Sequence, residues 1–427
     1  MILPRKPFKD TSYAYRHNSL STTDVKRLIK LKKIMVYLSF VIHNRDNDEI
    51  CLQMKERLRI VTLKYCQLNY RVYPAKTTRL NRVIQFARTI ESFSENACWK
   101  RFRTRKEDLP RLLRCFRLDL PEGEYFRSDD KVKAKFTGEE ILLIGLHRYT
   151  VPGQLEQTMG EIFHLDFSML SRAVTIFNKH MLLHHEHLVT NNLEYWKPWF
   201  PIFAESISAK LAEVGNIHYP EGGFRVAMFH DDTVIASCRP GSGPMANGDG
   251  RKSNFIQMAF YNGWKKHHGF KFQTVELPNG MCMDMYGPCS FRRNDLELLE
   301  RSKLNERLAQ VQHGDPVQYC SYGDGIFPID THTIGKHIGE TTRENRYENR
   351  MMSKIRIANE WAYGVTATMF PYVKYRAAQK LLMNKLTTKF YIVATLLRNA
   401  HMCLYEGLAA SYFNCDTPSL EDYFQMH

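Results

Sequence analysis

Three acidic residues have the types and surroundings that metal-dependent phosphoryl transfer requires. Asp231 follows the apolar run 224–230, Asp324 lies between two glycines, and Glu360 lies in a stretch with a helical pattern. Sites of this kind hold two metal ions about 3.5–4 Å apart through carboxylate oxygens on rigid elements. Two carboxylates at strand ends and one on a helix therefore predict a two-metal site.

Each of these acids also has a purely structural interpretation. Successive side chains of a strand point to opposite faces, so only one of Asp231 and Asp232 can face a site. Asp231 could instead belong to a strand-end turn or a helix cap, although an unpaired buried carboxylate is costly. Asp324 could belong to a simple Gly-Asp-Gly turn. Glu360 could pair with Arg356, four residues earlier on a helix surface.

The elements that must position these acids are predicted after Glu221. Apolar runs predict strands, Asn279-Gly280 predicts a hairpin turn, and Asn294 or Asp295 takes the capping position of a helix. Strands followed by a helix, a strand and more helices is the order of an RNase H-like α/β domain, a mixed sheet flanked by helices. The predicted strands are 223–230, 254–261, 271–277, 281–286 and 317–322.

Positive charge is concentrated in the first third of the chain. Residues 1–136 carry 31 Lys and Arg against 15 Asp and Glu, whereas residues 137–427 carry 29 against 30. Such asymmetry favours a polyanionic partner, with nucleic acid first, over a generic solvated surface.

Composition excludes several other classes. The ten cysteines form no Cys-x-x-Cys pair, which argues against a zinc site of the usual spacing and against a disulfide scaffold. No secretory signal is visible at Met1, and the apolar runs are too short to span a bilayer. We therefore expect a soluble protein with no membrane partner.

Three helical segments precede the predicted strands, at 139–149, 153–163 and 168–180, with Ser168 as the expected cap of the third. This order fits a helix-turn-helix whose third helix faces the major groove, or simply packed helices. The candidate DNA contacts on that helix are Ser171, Arg172, Thr175 and Asn178. The predicted organisation is a loose tail (1–20), a basic helical N-terminal region (21–136), an all-α helix-turn-helix region with a connector (137–200), the nuclease domain (220–405) and a C-terminal tail (406–427).

A basic cluster formed by Lys100, Arg101 and Arg103 precedes these helices. It could contact phosphates, serve as a nuclear-import signal, or simply be an exposed helix end.

The acidic blocks resemble a known family. Asp-Asp-Thr at 231–233, Tyr-Gly-Asp-Gly-Ile-Phe-Pro at 322–328 and Arg-Ile-Ala-Asn-Glu-Trp-Ala-Tyr-Gly at 356–364 resemble the three catalytic blocks of PIF/Harbinger-type DDE transposases. The resemblance covers about residues 137–405. It implies an RNase H-like nuclease with Asp231, Asp324 and Glu360 as catalytic residues and ligands of two Mg²⁺ or Mn²⁺ ions.

The resemblance also implies a reaction and its partners. The enzyme would cut transposon ends and join the freed 3′-hydroxyl to target DNA in the nucleus, as a homo-oligomer, with a Myb-like accessory protein as a further partner. The stretch from Tyr261 resembles the family's Tyr-Asn-Gly block, with Trp264 beside its basic residues. The implied contacts to the DNA backbone are Lys265, Lys266, His267, Arg350, Lys354 and Arg356.

Two positions depart from the family pattern. Asp232 stands where the family usually has Gly, and Asp295 ends an Arg-Arg-Asn-Asp stretch where the family has His-Asp. Both are secondary candidates for metal ligation, and helix capping is the main expectation for Asp295. The alternatives to a transposase are a domesticated, transposase-derived DNA-binding protein without nuclease activity, and a helix-turn-helix regulator on an unrelated fold.

Overall fold

The computed structural model describes most of the chain beyond residue 87. The chain divides into two compact units, Met1–Val83 and Ile84–His427. Predictions for residues 1–87, including the loose tail, lie outside the described residues apart from isolated positions 30, 31, 34, 58, 60 and 61. The described ranges are 88–129, 134–215, 224–240, 243–244, 252–253, 255–330, 332–339, 342–381 and 386–425.

Helices make up most of the described second unit, and capping residues fix where several of them begin. Thr137 and Glu140 form a reciprocal capping box at the start of α3, and the Asn294 side chain accepts the N–H of Glu297 at the start of α7. The numbered helices are α1 Glu95–Phe102, α2 Leu109–Cys115, α3 Gly138–Thr150, α4 Phe167–His185, α5 Phe200–Gly215, α6 Phe255–Phe260, α7 Asp295–Ser302, α8 Leu304–Val311, α9 Arg343–Ile355, α10 Ile357–Met369, α11 Phe390–Tyr405, α12 Leu408–Phe413 and α13 Leu420–Tyr423. Three further short α-helical segments among the described residues are Glu161–Phe163, His187–Thr190 and Leu193–Trp196.

The strands form one six-stranded mixed sheet and two small ribbons, β1–β2 and β4–β5. In the large sheet β10 and β9 are parallel, β9 and β3 are parallel, and β7 is antiparallel to β3, β6 and β8. The strands are β1 Phe126–Arg127, β2 Lys135–Phe136, β3 Phe224–Ala236, β4 Gly243–Pro244, β5 Lys252–Ser253, β6 Tyr261–Asn262, β7 His267–Glu276, β8 Cys282–Ser290, β9 Gln318–Tyr322 and β10 Thr333–Ile334.

The central strand β3 has helices on both of its faces. Arg356, at the junction of α9 and α10, reaches one face at Asp231. Asp295, at the start of α7, meets the other face through Lys271. A mixed sheet with flanking helices is consistent with an α/β nuclease domain, as the sequence predicted.

Most predicted strands are confirmed, but one is wrong. In addition, β3 continues to Ala236, so Asp231 lies inside this strand and not at its end as predicted. The hairpin that turns at Asn279-Gly280 and the strand before Tyr322 are present. The apolar stretch 254–261, predicted as a strand, instead forms α6 from Phe255 to Phe260. A short apolar run does not distinguish a strand from a helix. The Gln257 side chain helps to hold this helix by donating to the Pro240 carbonyl (2.9 Å).

Helical segments also occur where the helix-turn-helix was predicted. Helix α3 is followed by a π-helical turn, Glu156–Gly160, and then by α4. The cap of α4 is Asp166 rather than Ser168, because Asp166 Oδ1 accepts the backbone N–H groups of Ser168 (2.8 Å) and Met169 (3.1 Å). That these helices act as a helix-turn-helix stays a prediction.

The C-terminal residues differ from the predicted tail. Helices α12 and α13 follow α11, and Tyr423 and Phe424 are almost fully buried. The Phe424 ring packs on Phe116, with ring centroids 5.2 Å apart, and Arg111 pairs with Glu421 at 2.9 Å. Apolar burial therefore anchors this segment to α2, and residues 84–136 belong to the same compact unit.

No helix among the described residues has the length and apolar character needed to cross a membrane.

Candidate active site at the ends of two parallel strands

The parallel register of β3 and β9 brings two of the predicted acids to the same edge. Phe229 pairs with Tyr322, two residues before Asp231 and Asp324 respectively. Gly323 lies at this point because a Cβ there would sit 2.2 Å from Nε2 of His230, which is itself completely buried. The packing of the His230 and Phe327 side chains against this backbone therefore depends on glycine at position 323.

His230 fills the space behind the two acids. Its ring packs edge-on against Phe327, with centroids 4.2 Å apart. Burial, with the nearby charge of Arg356, lowers the pKa of His230 to about 3, so the ring is neutral at physiological pH. His230 is thus a packing residue of the site and not one of its charges.

Asp231 is held by a cation from the helical layer. Arg356 Nη1 lies 2.7 Å from Asp231 Oδ2, and the backbone N–H of Asp232 donates to Oδ1 at 2.8 Å. Burial raises the pKa of Asp231 above its ordinary value, while Arg356 acts in the opposite direction. The nearby charge of Asp324 contributes to the rise.

The other two predicted ligands are open to solvent. Asp324 is exposed, and its Oδ1 accepts the N–H of Gly325. Glu360 is also exposed, in the first turn of α10 and four residues after Arg356, which precedes that helix. Arg356 pairs with Asp231, and the described residues show no Arg356–Glu360 salt bridge.

The donor set fits a hard divalent cation in its chemistry, because carboxylate oxygens are the ligands that Mg²⁺ and Mn²⁺ prefer. Two of the carboxylates also share one edge of the sheet. Within the described ranges, however, no group of three or more His, Cys, Asp or Glu could already hold a metal. The guanidinium of Arg356 supplies the positive charge beside Asp231 that a cation would supply.

Polar contacts fix α10 against the sheet and so fix where Glu360 lies. The Tyr363 hydroxyl is 2.8 Å from the Thr274 hydroxyl, and Thr274 is the cross-strand partner of Asp231. On the next turn, Arg398 donates to Thr366 (3.2 Å) and pairs with Glu276 (2.6 Å). Together with the Arg356 contact, these bonds tie three successive turns to β3 and β7.

Asp232 faces the opposite side of β3. Its side chain is 4% exposed, and its Oδ2 lies 3.1 Å from Nζ of Lys271, which also pairs with Asp295. Among the described residues, neither oxygen of Asp232 has a partner in hydrogen-bonding geometry. Burial, with the adjacent charge of Asp295, raises the pKa of Asp232 to about 8 despite Lys271. The structure therefore does not bring Asp232 or Asp295 to the edge that carries Asp324.

The predicted DNA contacts near the acids fall into two groups. Lys265, Lys266, Arg350 and Lys354 are exposed and available to a partner. The other two are engaged: Arg356 by Asp231, and His267 by Phe291, on which its ring packs at 5.1 Å. Arg356 therefore contributes to the acidic edge and is not a free phosphate contact.

The predicted contacts on α4 are mostly engaged within the protein. Asn178 is completely buried, accepts from the Tyr149 hydroxyl and donates to the Val174 carbonyl (2.7 Å). Thr175 donates to Ser171, and Arg172 donates to Ser168. The buried Asn178 contradicts the expectation of a groove contact, because that face of α4 packs into the core.

The basic cluster before α3 is similarly mixed. Lys100 is exposed at the end of α1, whereas Arg101 and Arg103 are half-buried. Arg101 Nη1 lies 3.4 Å from His147 Nε2. Lys100 is thus the most accessible of the three.

Comparison with known families agrees with this geometry. A family model described as DDE superfamily endonuclease matches residues 249–399. The match supports the DDE endonuclease superfamily. The matched range contains Asp324 and Glu360 and begins after β3, so it does not include Asp231. The assignment of Asp231 to the same site rests on the pairing of β3 with β9. No curated protein and no solved structure matches the chain.

Sequence reasoning missed three residues that support the site. It assigned Arg356 to DNA, and it gave no role to Tyr363 or Lys271. Arg356 lies 125 residues from the acid that it holds. The one available signal was that Lys271 and Thr274 interrupt an apolar strand, where a buried polar residue requires a partner.

Proposed function

We propose that this chain is a PIF/Harbinger-type DDE transposase with an RNase H-like catalytic domain. It cuts transposon ends by metal-dependent phosphoryl transfer and joins the freed 3′-hydroxyl to target DNA. The alignment of Asp231 with Asp324 at one edge of the sheet carries this proposal. The family match over residues 249–399 supports a transposase-like nuclease in general.

The chain's own residues have distinct roles in this proposal. Asp231, Asp324 and Glu360 are the ligands, and Arg356 orients the half-buried Asp231 and favours its ionised form. Tyr363 and Arg398 hold α10, which carries Glu360, in register with the sheet. Two Mg²⁺ or Mn²⁺ ions bound by these carboxylates would activate water and neutralise charge on the phosphodiester.

DNA binding completes the proposal. Lys265, Lys266, Arg350 and Lys354 are exposed and would contact phosphates, where each neutralised charge adds salt-dependent affinity. The helices from 137 to 200 would contribute as a helix-turn-helix. Homo-oligomerisation, a Myb-like accessory protein and action in the nucleus belong to the same proposal through the family resemblance.

The test is nicking of a supercoiled plasmid by the purified full chain with Mg²⁺ or Mn²⁺, and with chelator. We expect cation-dependent nicking that Glu360→Gln abolishes while DNA binding stays unchanged. Glu300→Gln, an exposed glutamate of α7, is the matched control and should nick like the wild type. Nicking by Glu360→Gln at the wild-type rate would reject the assignment of this residue.

One observation favours a second candidate, a domesticated DNA-binding protein without nuclease activity. Arg356 already neutralises Asp231, and Glu360 is not gathered with the two strand acids. This candidate predicts tight DNA binding, no nicking by any variant, and no cation-dependent rise in melting temperature. A nuclease predicts a rise with Mn²⁺ that Asp231→Asn removes.

A further inference from the structure

Trp264 is the most solvent-exposed large hydrophobic residue among the described residues, at 89%. It lies in the tight turn between β6 and β7. An indole in full contact with water at a turn contributes nothing to the core, and tryptophan is enriched where proteins contact partners. The turn therefore requires an explanation outside the fold.

Hydrogen bonds fix the backbone of the turn that carries this indole. Asn262 Oδ1 accepts the backbone N–H groups of Trp264 and Lys265, each at 3.0 Å. Asn262 Nδ2 also donates to the carbonyl of Phe291 at 3.1 Å. Lys266 adopts a left-handed backbone conformation, with φ of 56°, before β7 begins. Contact with a ligand would therefore cost little backbone entropy, and the entropy lost would be that of the indole side chain.

Cationic residues follow the indole in the turn and lie near the start of β7. Lys265 and Lys266 follow it directly and are exposed. Arg239 and Arg376 are exposed near the start of β7. Burial lowers the pKa of His268 there, and the charges of these two arginines lower it further. Arg376 is fixed there by a bond from Nε to the Ser237 carbonyl (2.9 Å). An aromatic face among positive charges is the combination that binds single-stranded nucleic acid.

The turn lies on the same strand as the cross-strand partner of Asp231. Thr274 is seven residues along β7 from His267. At ~3.3 Å per residue this is about 23 Å, the length of roughly seven base pairs of DNA. A strand of DNA that leaves the acidic edge along β7 can therefore reach the turn.

We propose that Trp264 stacks on an unpaired base of DNA while Lys265 and Lys266 hold the flanking phosphates. This inference rests on the proposed function for the source of the DNA. Base faces are hidden in an intact duplex and accessible in a single strand or a melted end, so the ligand is an unpaired segment. The indole then distinguishes unpaired from paired DNA, and the lysines do not.

The test compares the affinity of the full chain for a labelled single-stranded oligonucleotide and for the corresponding duplex. Trp264→Ala should weaken single-strand binding about tenfold, which corresponds to ~1.4 kcal/mol, and duplex binding less than twofold. Trp264→Phe should retain most of the affinity. Leu183→Ala, which truncates another exposed hydrophobic residue (78%), is the matched control. The double variant Lys265→Ala/Lys266→Ala should lower the affinity for both the single strand and the duplex, and should make that affinity less dependent on salt concentration.

Several results would overturn the proposal. Unchanged single-strand binding by Trp264→Ala, or an equal loss for single strand and duplex, would remove the stacking role. A change in oligomeric mass without a change in DNA binding would assign the indole to a second copy of the chain. Absence of single-strand binding by the wild type would also overturn it.

The nuclease assignment fails separately. Asp231→Asn is expected to stop nicking and to leave single-strand affinity unchanged. Preferential binding of single-stranded DNA without nicking would therefore support the stacking role of Trp264 and reject the nuclease assignment. Nicking without a preference for single-stranded DNA would support the nuclease assignment and reject the stacking role.

Discussion

Asp231 and Asp232 are consecutive residues of one strand, and the two faces of β3 give them opposite surroundings. Asp231 is 23% exposed, next to Asp324, and paired with one arginine from the helical layer. Asp232 is 4% exposed and shares Lys271 with Asp295. The first carboxylate can still accept a ligand from solvent, whereas the second is enclosed. The face of the strand, rather than the residue type, thus assigns the roles.

The largest expected effect follows directly from this difference. Asp231→Asn should lower the nicking rate on the order of 10³-fold, because it removes a charge at the reacting edge. Asp232→Asn should lower the rate less than about tenfold, because its side chain faces the opposite layer. Initial nicking rates with Mn²⁺ measure both. Equal losses would mean that Asp232 also reaches the site.

Substitutions on the face of β3 that carries Asp232 should affect the stability of the protein more than its nicking rate. Lys271→Met leaves Asp232 and Asp295 without their shared cation, and should lower the free energy of unfolding by about 3 kcal/mol. Urea denaturation measures this change. The exposed Lys265→Met should change it by less than about 0.5 kcal/mol, and adding Asp232→Asn to Lys271→Met should restore part of the loss. A Lys271→Met protein as stable as the wild type would show that Asp232 and Asp295 do not depend on Lys271 for charge compensation.

The two glycines around Asp324 offer a sharper test of the open face. Gly323→Ala forces a Cβ to within 2.2 Å of His230 and 2.6 Å of Phe327, and should cost about 2 kcal/mol of stability together with nicking activity. Gly325→Ala first meets the flexible Lys336 side chain at 3.3 Å and should be tolerated. Thermal melts and nicking rates of the pair distinguish them. Similar behaviour of both variants would contradict the tight packing of His230 and Phe327 against Gly323.

The smallest expected effect concerns α10, the helix that packs on the face of the sheet carrying Asp231. Tyr363→Phe removes the hydroxyl that bonds Thr274, and should lower the free energy of unfolding by about 1 kcal/mol. Tyr261→Phe, in the exposed turn strand β6, should leave it unchanged. Chemical denaturation of the two variants gives the comparison. No difference between them would remove Tyr363 from the contacts that hold α10.

The parts of the fold and site that sequence could predict are those set by local pattern. The hairpin at Asn279-Gly280 and the cap at Asn294 follow from turn and capping chemistry. The sequence also predicted a strand before each of Asp231 and Asp324, and the parallel pairing of β3 with β9 aligns the two acids, although β3 itself continues past Asp231.

The remainder depends on tertiary contacts between distant residues. Neither the pairing of Arg356 with Asp231 nor the burial of Asn178 is visible in sequence spacing. An apolar run as short as 254–261 fits a helix and a strand equally. The C-terminal residues were predicted as a tail because their short helices gain stability only by packing.

The long sequence separation of the Asp231–Arg356 pair affects how the protein matures during translation. The arginine is synthesised 125 residues after the aspartate. At a synthesis rate of about 5–20 residues per second, the ribosome reaches it roughly 6–25 s later. During that interval β3 lacks the helix that carries Glu360, and for most of it β3 also lacks β9, so a nascent chain has no assembled acidic edge. The candidate site is therefore completed only late in translation of the chain.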